Sequence, residues 1–359
     1  VTTTLEPETD DQPTTVETVR PTVTMRSRRM SLRIERRLIL VCLILAAIAL
    51  GVMVVSLATG DFPIAIRDVV ATLFGQGSSR HNLIVLEWRL PRALMALVLG
   101  GALGMSGAIF QSLTRNPLGS PDIIGFNTGA YTGALIAIII IGGGYVTVAI
   151  GALGGGLVTA AVVYVLAYRK GMQGFRLIIV GIAVSAMLAS FNTWMILRAD
   201  LEVAMSAAVW GAGSLSGISW PQAVPALFFC AVLTLLALIG DYSGRQLELG
   251  DDAASALGTR TQTTRLVQTV VGVALTASVT AVAGPIGFVA LAAPQLARRL
   301  TKASGTGLIP AALMGAALLA ASDWIAQHAL PDITLPVGAV TVSLGGAYFI
   351  WLLIAEARK

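Results

Sequence analysis

Apolar residues in this chain come in long runs rather than in alternation. Ten runs fall at approximately 38–58, 92–113, 122–141, 145–168, 174–197, 221–240, 265–283, 286–301, 308–325 and 336–355. A run of about 20 apolar residues crosses a hydrocarbon layer of about 30 Å as an α-helix. The pattern therefore predicts an all-α, polytopic membrane protein with about ten transmembrane helices. The eighth run is short and holds Pro294, which predicts a broken or tilted crossing. An even number of crossings sets both ends of the chain on one side.

The stretches between the runs carry patterns of their own. Residues 59–90 scatter Ile64, Ile66, Val69, Val70 and Leu73 among polar positions, as an interfacial or surface helix does, and 200–220 predicts a second such helix ending at Gly211-Ala212-Gly213. The one long cytoplasmic segment, 241–264, splits at Gly250 and predicts two short helices. Asp251 or Asp252 would cap the second and Gly258 would end it. Loops of this length without a role are uncommon. Residues 1–37 are a different material. The first 24 are rich in Thr, Glu, Asp and Pro, and six arginines follow between 25 and 37, so a disordered, basic tail is expected before a permease domain over 38–359. The run from Leu38 extends to Leu57 or Ala58, longer than the 7–15 residues of a signal-peptide core, so it reads as a retained helix.

Composition excludes a soluble protein. Charged residues make up 12% of the chain and hydrophobic ones 55%, against about 25% charged in a soluble domain. The net charge of +5 reflects topology rather than an anionic partner such as nucleic acid. With ten crossings, 19 of the 24 Lys and Arg fall on one side, leaving Arg67, Arg80, Arg89, Arg92 and Arg198 on the other. That bias identifies the cytoplasmic side and gives cytoplasmic termini. Cys42 and Cys230 both lie inside apolar runs, so no disulfide framework is implied.

Five segments carry more specific information: RLPR at 89–92, NPLGSPDIIGFNTGA at 116–130, LELGDDAASALG at 247–258, GPIGFVALAAPQLAR at 284–298 and LPVGAVTVSLGGAYFIWLL at 335–353. In this order and spacing they resemble the FecCD family, the permease subunits of binding-protein-dependent ABC importers for ferric siderophores, haem and cobalamin. The resemblance covers about Leu38 to Ala357 and leans toward the ferric-siderophore branch, with cobalamin or haem as the alternative cargo. It implies the type II importer permease fold, a second permease subunit (a paralogue or a second copy), an ABC ATPase dimer carrying ATP and Mg, and an extracytoplasmic siderophore-binding protein.

The resemblance also implies residue roles. Arg89 and Arg92 would pair with acidic residues of the binding protein, and guanidinium forks suit carboxylates; the rival role for both is to anchor the helix end. Asn116, Leu118 and Gln173 would narrow the pathway on the cytoplasmic side. Leu249, Gly250, Asp251, Ala254, Leu257 and Gly258 would meet the ATPase. Two positions depart from the family's pattern. Ala326-Gln327-His328-Ala329 stands where relatives often carry another arginine, and Gln295 stands where many carry histidine, beside Pro294 at an expected helix break.

No G-x-x-x-x-G-K-[ST] phosphate loop occurs, so ATP hydrolysis is expected on partner subunits, and no catalytic constellation or metal-ligand spacing appears. An ion-coupled secondary transporter would need ionisable groups within the bundle. The candidates, Asp122, Asp241 and Asp323, read more simply as caps or surface charges. The 38 glycines are expected to serve close helix packing.

Overall fold

In a computed structural model the protein is described over residues 22–27, 30–168, 174–303, 305, 307–330 and 333–357. The chain opens with strands β1 (Thr22–Ser27) and β2 (Met30–Glu35), paired antiparallel with Val23 opposite Ile34 and Met25 opposite Leu32. Two short segments of alternating apolar positions come into register here. Residues 1–21 lie outside the described residues.

Helix α1 (Arg36–Ala58) leads to α2 (Ile66–Leu73) and α3 (Ser79–His81). A π-helical stretch, Asn82–Arg89, then runs directly into α4 (Leu90–Thr114). The helical run from Ser79 to Thr114 is 36 residues long, so the second crossing begins well before the expected residue 92 and RLPR lies within it. The third apolar run is broken into α5 (Pro121–Ile124), α6 (Phe126–Leu135) and a π-helical end at Ile136–Ile141. Then follow α7 (Tyr145–Ala167), α8 (Gly174–Arg198), α9 (Leu201–Gly211) and α10 (Trp220–Glu248). Helices α11 (Asp251–Ala256), α12 (Thr261–Ala283), α13 (Val289–Thr301), α14 (Leu308–His328) and α15 (Val337–Ala357) complete the chain.

Seven helices among the described residues are long and apolar enough to cross a membrane. The broken α5–α6 run, the short α13 and α15 take the other three predicted places. Two expectations change. The segment 241–264 holds one short helix, α11, because α10 continues to Glu248 before Gly250 interrupts it. Helix α13 is continuous through Pro294. Proline removes the bond to the carbonyl four residues back, here that of Ala290, and this carbonyl packs against Gly107 of α4.

Helix α4 forms the centre, with α14, α12, α10, α13 and α1 around it. Gly100 lies on the backbone of Gly315, and Gly104 on that of Ala311, so a Cβ at either would strike a carbonyl. Gly129 and Gly133 of α6 interleave with Gly151 and Gly155 of α7 through Thr159 and the two backbones. Lipid supplies no hydrophobic drive between helices, so close backbone approach of this kind is what holds them. By contrast α8 buries Leu177, Gly181, Asn192 and Met195, leaving an apolar face without a partner among the described residues.

Candidate functional site

The end of α4 is built as a stop. Arg115 takes a left-handed conformation, φ 50° and ψ 36°, and the Asn116 side chain accepts from the Leu118 backbone N–H at 2.9 Å. Gly119 closes the turn by donating to the Asn116 carbonyl at 2.9 Å. Leu118 is 49% exposed at its tip. Ser120 then caps α5 through the Ile123 N–H, Pro121 occupies the first turn, and Gly125 at φ 93° ends it. Helix α13 holds the turn in place. Gln295 Nε2 donates to the Pro117 carbonyl at 2.8 Å and Gln111 Nε2 to the Leu291 carbonyl at 3.0 Å. Gln295 thus ties two motifs together instead of shaping a helix break.

Beside this turn stands α11. Gly250, at φ 109°, permits the reversal out of α10, and Gly258, at φ 86°, the exit from α11. Asp251 and Asp252 lie in the first turn, where negative charge suits the helix dipole, rather than at the cap, which is Gly250. Asp251 Oδ1 receives Arg115 Nη2 at 2.8 Å and Arg265 Nη2 at 2.5 Å. Leu249 and Leu257 are 66% and 59% exposed, whereas Ala254 is fully buried. Ala254 is therefore corrected from a surface contact to a packing residue. A groove of about 710 Å3 runs between α11 and the start of α8, with Arg115, Phe175 and Leu249 among its walls. Gln173 lies outside the described residues.

Deeper in the bundle, the broken third run meets the GPIGF segment. Asp122 accepts from Asn127 Nδ2 at 2.5 Å and from the Phe288 N–H at 3.2 Å, and Asn127 Oδ1 lies 3.0 Å from the Thr280 hydroxyl. Phe288 has φ 70°, and Val289 N–H donates to the Gly287 carbonyl at 2.9 Å, which makes a γ-turn at the start of α13. Its ring stands edge-on to Phe349 of α15 at 5.6 Å. Asp122 is corrected from a simple cap to an acceptor that braces this turn.

At the opposite face, RLPR does not present two free guanidinium groups. Arg89 donates to the Leu57 and Phe62 carbonyls, both at 2.8 Å, and so fastens the end of α1 to the π-helical stretch. Arg92 is bonded to Asp323 of α14, whose other oxygen accepts from Gln327 Nε2 at 2.8 Å. Asp323 is 1% exposed and is corrected from a surface charge to the buried partner of Arg92. Gln327 belongs to this cluster. The sequence carries no signal for either pairing beyond the presence of charge in apolar runs, and it marks Arg115 only as one more positive charge.

A broken turn and a short helix flanked by two exposed leucines thus fall within two of the five motifs, 116–130 and 247–258. The FecCD transport family profile matches residues 41–355. The chain belongs to the FecCD transport family. It is 48% identical over 326 residues to the ferric enterobactin transport system permease protein FepG of Escherichia coli (strain K12), covering 91% of this chain and 99% of that protein. It is 36% identical over 315 residues to the iron(3+)-hydroxamate import system permease protein FhuG of Bacillus subtilis (strain 168), covering 84% and 92%. Among solved structures, an inward-facing transporter described as of the metal-chelate ABC type aligns with a TM-score of 0.76 at 25% identity, covering 88% of this chain and 99% of that one. This FecCD chain is a multi-pass membrane permease of the ABC importer class.

Proposed function

We propose that this permease carries a ferric siderophore across the cytoplasmic membrane, driven by ATP hydrolysis on a partner ATPase dimer. The observation that carries the reading is the juxtaposition of α11, with Leu249 and Leu257 exposed, and the broken Asn116–Leu118 turn on one face. The 48% identity to a ferric enterobactin permease, across nearly all of both chains, supports the cargo class. ATP and Mg belong to the ATPase subunits, and the iron travels inside its chelate.

The unpartnered apolar face of α8 supplies surface for a second permease subunit, and the pathway runs between the two. Both termini lie in the cytoplasm with α11, and the binding protein docks at the opposite face. There Arg89 and Arg92 keep the mouth in shape through their internal bonds, and docking draws on that shape.

Uptake of radiolabelled ferric enterobactin in cells lacking this chain, with and without the wild-type copy, tests the proposal, with free ferric iron and cobalamin as parallel cargoes. Loss and rescue for the siderophore alone is the expected result. Uptake that persists without the ATPase but collapses with an ionophore would overturn it.

A further inference from the structure

Arg115 makes two bonds from one nitrogen, and they straddle a hinge. Its Nη2 donates to the Leu247 carbonyl at 3.0 Å, in the last turn of α10, and to Asp251 Oδ1 at 2.8 Å, in the first turn of α11. Gly250 lies between these two acceptors, at φ 109° with nothing within 4 Å of a would-be side chain. The reversal at Gly250 is closed by its own backbone bonds, Gly250 N–H to the Leu247 carbonyl at 3.2 Å and Ala254 N–H to the Gly250 carbonyl at 2.9 Å, and the guanidinium spans it. Asp251 also neutralises Arg265, whose side chain is 8% exposed on α12.

The other end of Arg115 is the turn itself. It is the left-handed residue that ends α4, joined directly to Asn116, Pro117 and Leu118. That turn has a second tether on its far side, from Gln295 of α13 to the Pro117 carbonyl. Arg265 on Asp251 and Thr259 on Gln246 hold α11 to α12 and α10, and Arg115 is the tether that joins it to the turn, so a rotation of α11 about Gly250 must pull on that turn or break the Arg115 bond. Stability alone does not account for the arrangement: the Arg115 and Asp251 side chains are 46% and 44% exposed, and a pair so open to water contributes little.

We propose that Arg115 is the positioning residue that carries movement of α11 into the 116–118 turn, an inference that rests on reading α11 as the ATPase-facing element. It makes the coupling a push through one guanidinium rather than a diffuse repacking of helices.

The test uses the complete transporter, with its second permease subunit and ATPases, in proteoliposomes. Cys42 and Cys230 are replaced by Ala, and Leu118→Cys carries an environment-sensitive thiol fluorophore. The readout is the fluorescence change on adding ATP and vanadate, which needs no cargo. Arg115→Gln should reduce that change by about fivefold or more, the range of a real coupling energy, while ATP hydrolysis continues. Arg115→Lys, which keeps the charge and three donors without the planar fork, should restore part of it. An undiminished response in Arg115→Gln would overturn the proposal. Failure of both variants to assemble would make Arg115 a structural staple and overturn it equally. A parent complex that does not respond to ATP would instead remove the reading of α11, and the linkage with it.

Discussion

Arg92 meets Asp323 side-on, with Nε 3.2 and 3.1 Å from the two carboxylate oxygens and Nη2 2.9 Å from Oδ1. The side chains are 17% and 2% exposed, so each charge depends on the other. Removing one partner of a buried pair costs about 3–5 kcal/mol, whereas replacing both by apolar residues of similar volume is often neutral. Asp323→Ala should therefore lower the melting temperature of the detergent-solubilised protein sharply. Arg92→Met combined with Asp323→Leu should recover much of the loss. A single Asp323→Ala variant that melts like the parent would refute the structural role.

The glycine seams make a position-specific prediction. A methyl group at Gly104 would strike the Ala311 carbonyl, while at Gly154 nothing lies within 4 Å. Overpacking typically costs about 1–3 kcal/mol, and an unobstructed Gly→Ala change in a helix gains about 0.5–1 kcal/mol. Gly104→Ala should reduce the yield of monodisperse protein in size-exclusion chromatography, and Gly154→Ala should leave it at or above the parent level. Equal yields would mean that α4 and α14 are not in backbone contact.

How much of this was legible beforehand divides along a physical line. Run length depends on composition alone, so α1, α7, α8, α12 and α14 fall close to where their apolar residues end, whereas α10 runs past its apolar residues to Glu248. The 122–141 run predicts one crossing, and the structure breaks it at Gly125, with Ser120 capping and Pro121 opening the short helix before it. What was not legible is which polar group each charge finds, because partners lie far apart in sequence. Asp323 is 231 residues from Arg92 and Asp122 is 166 from Phe288. The helical run upstream of Arg89 escaped detection for a different reason: residues 79–91 mix charge and apolar positions, and their helix continues α4 instead of forming its own crossing.

The exposed leucines of the α11 region should act at the ATPase and nowhere else. Leu249 and Leu257 project from this chain while Ala254 is enclosed by it. Burying a leucine fully contributes about 1.5–3 kcal/mol, or roughly 10- to 100-fold in affinity. Leu257→Glu should weaken association with the ATPase subunit by about that factor while the isolated permease purifies normally. Ala254→Leu should instead impair the permease itself. Equal co-purification of the ATPase with the Leu257→Glu variant would move the contact elsewhere.

Phe288 offers a test of strain in the bundle. A bulky residue at φ 70° is a conformational outlier, kept here by the Asp122 carboxylate on its N–H and by its ring lying against Gly345 and Phe349 of α15. Truncating the ring to Ala removes the packing but keeps a Cβ in a left-handed conformation that disfavours it by about 1–2 kcal/mol. Gly removes both ring and Cβ, and adopts positive φ freely. Phe288→Gly should therefore melt higher than Phe288→Ala, the reverse of the usual order in which Gly is the less stable by about 0.5–1 kcal/mol. Asp122→Ala should destabilise on its own account, because it strands the Phe288 N–H and leaves Asn127 Nδ2 with a 3.5 Å bond to the Ile286 carbonyl. Were Phe288→Ala the more stable of the two ring-less variants, the γ-turn would not be strained, and Asp122 would be bracing nothing.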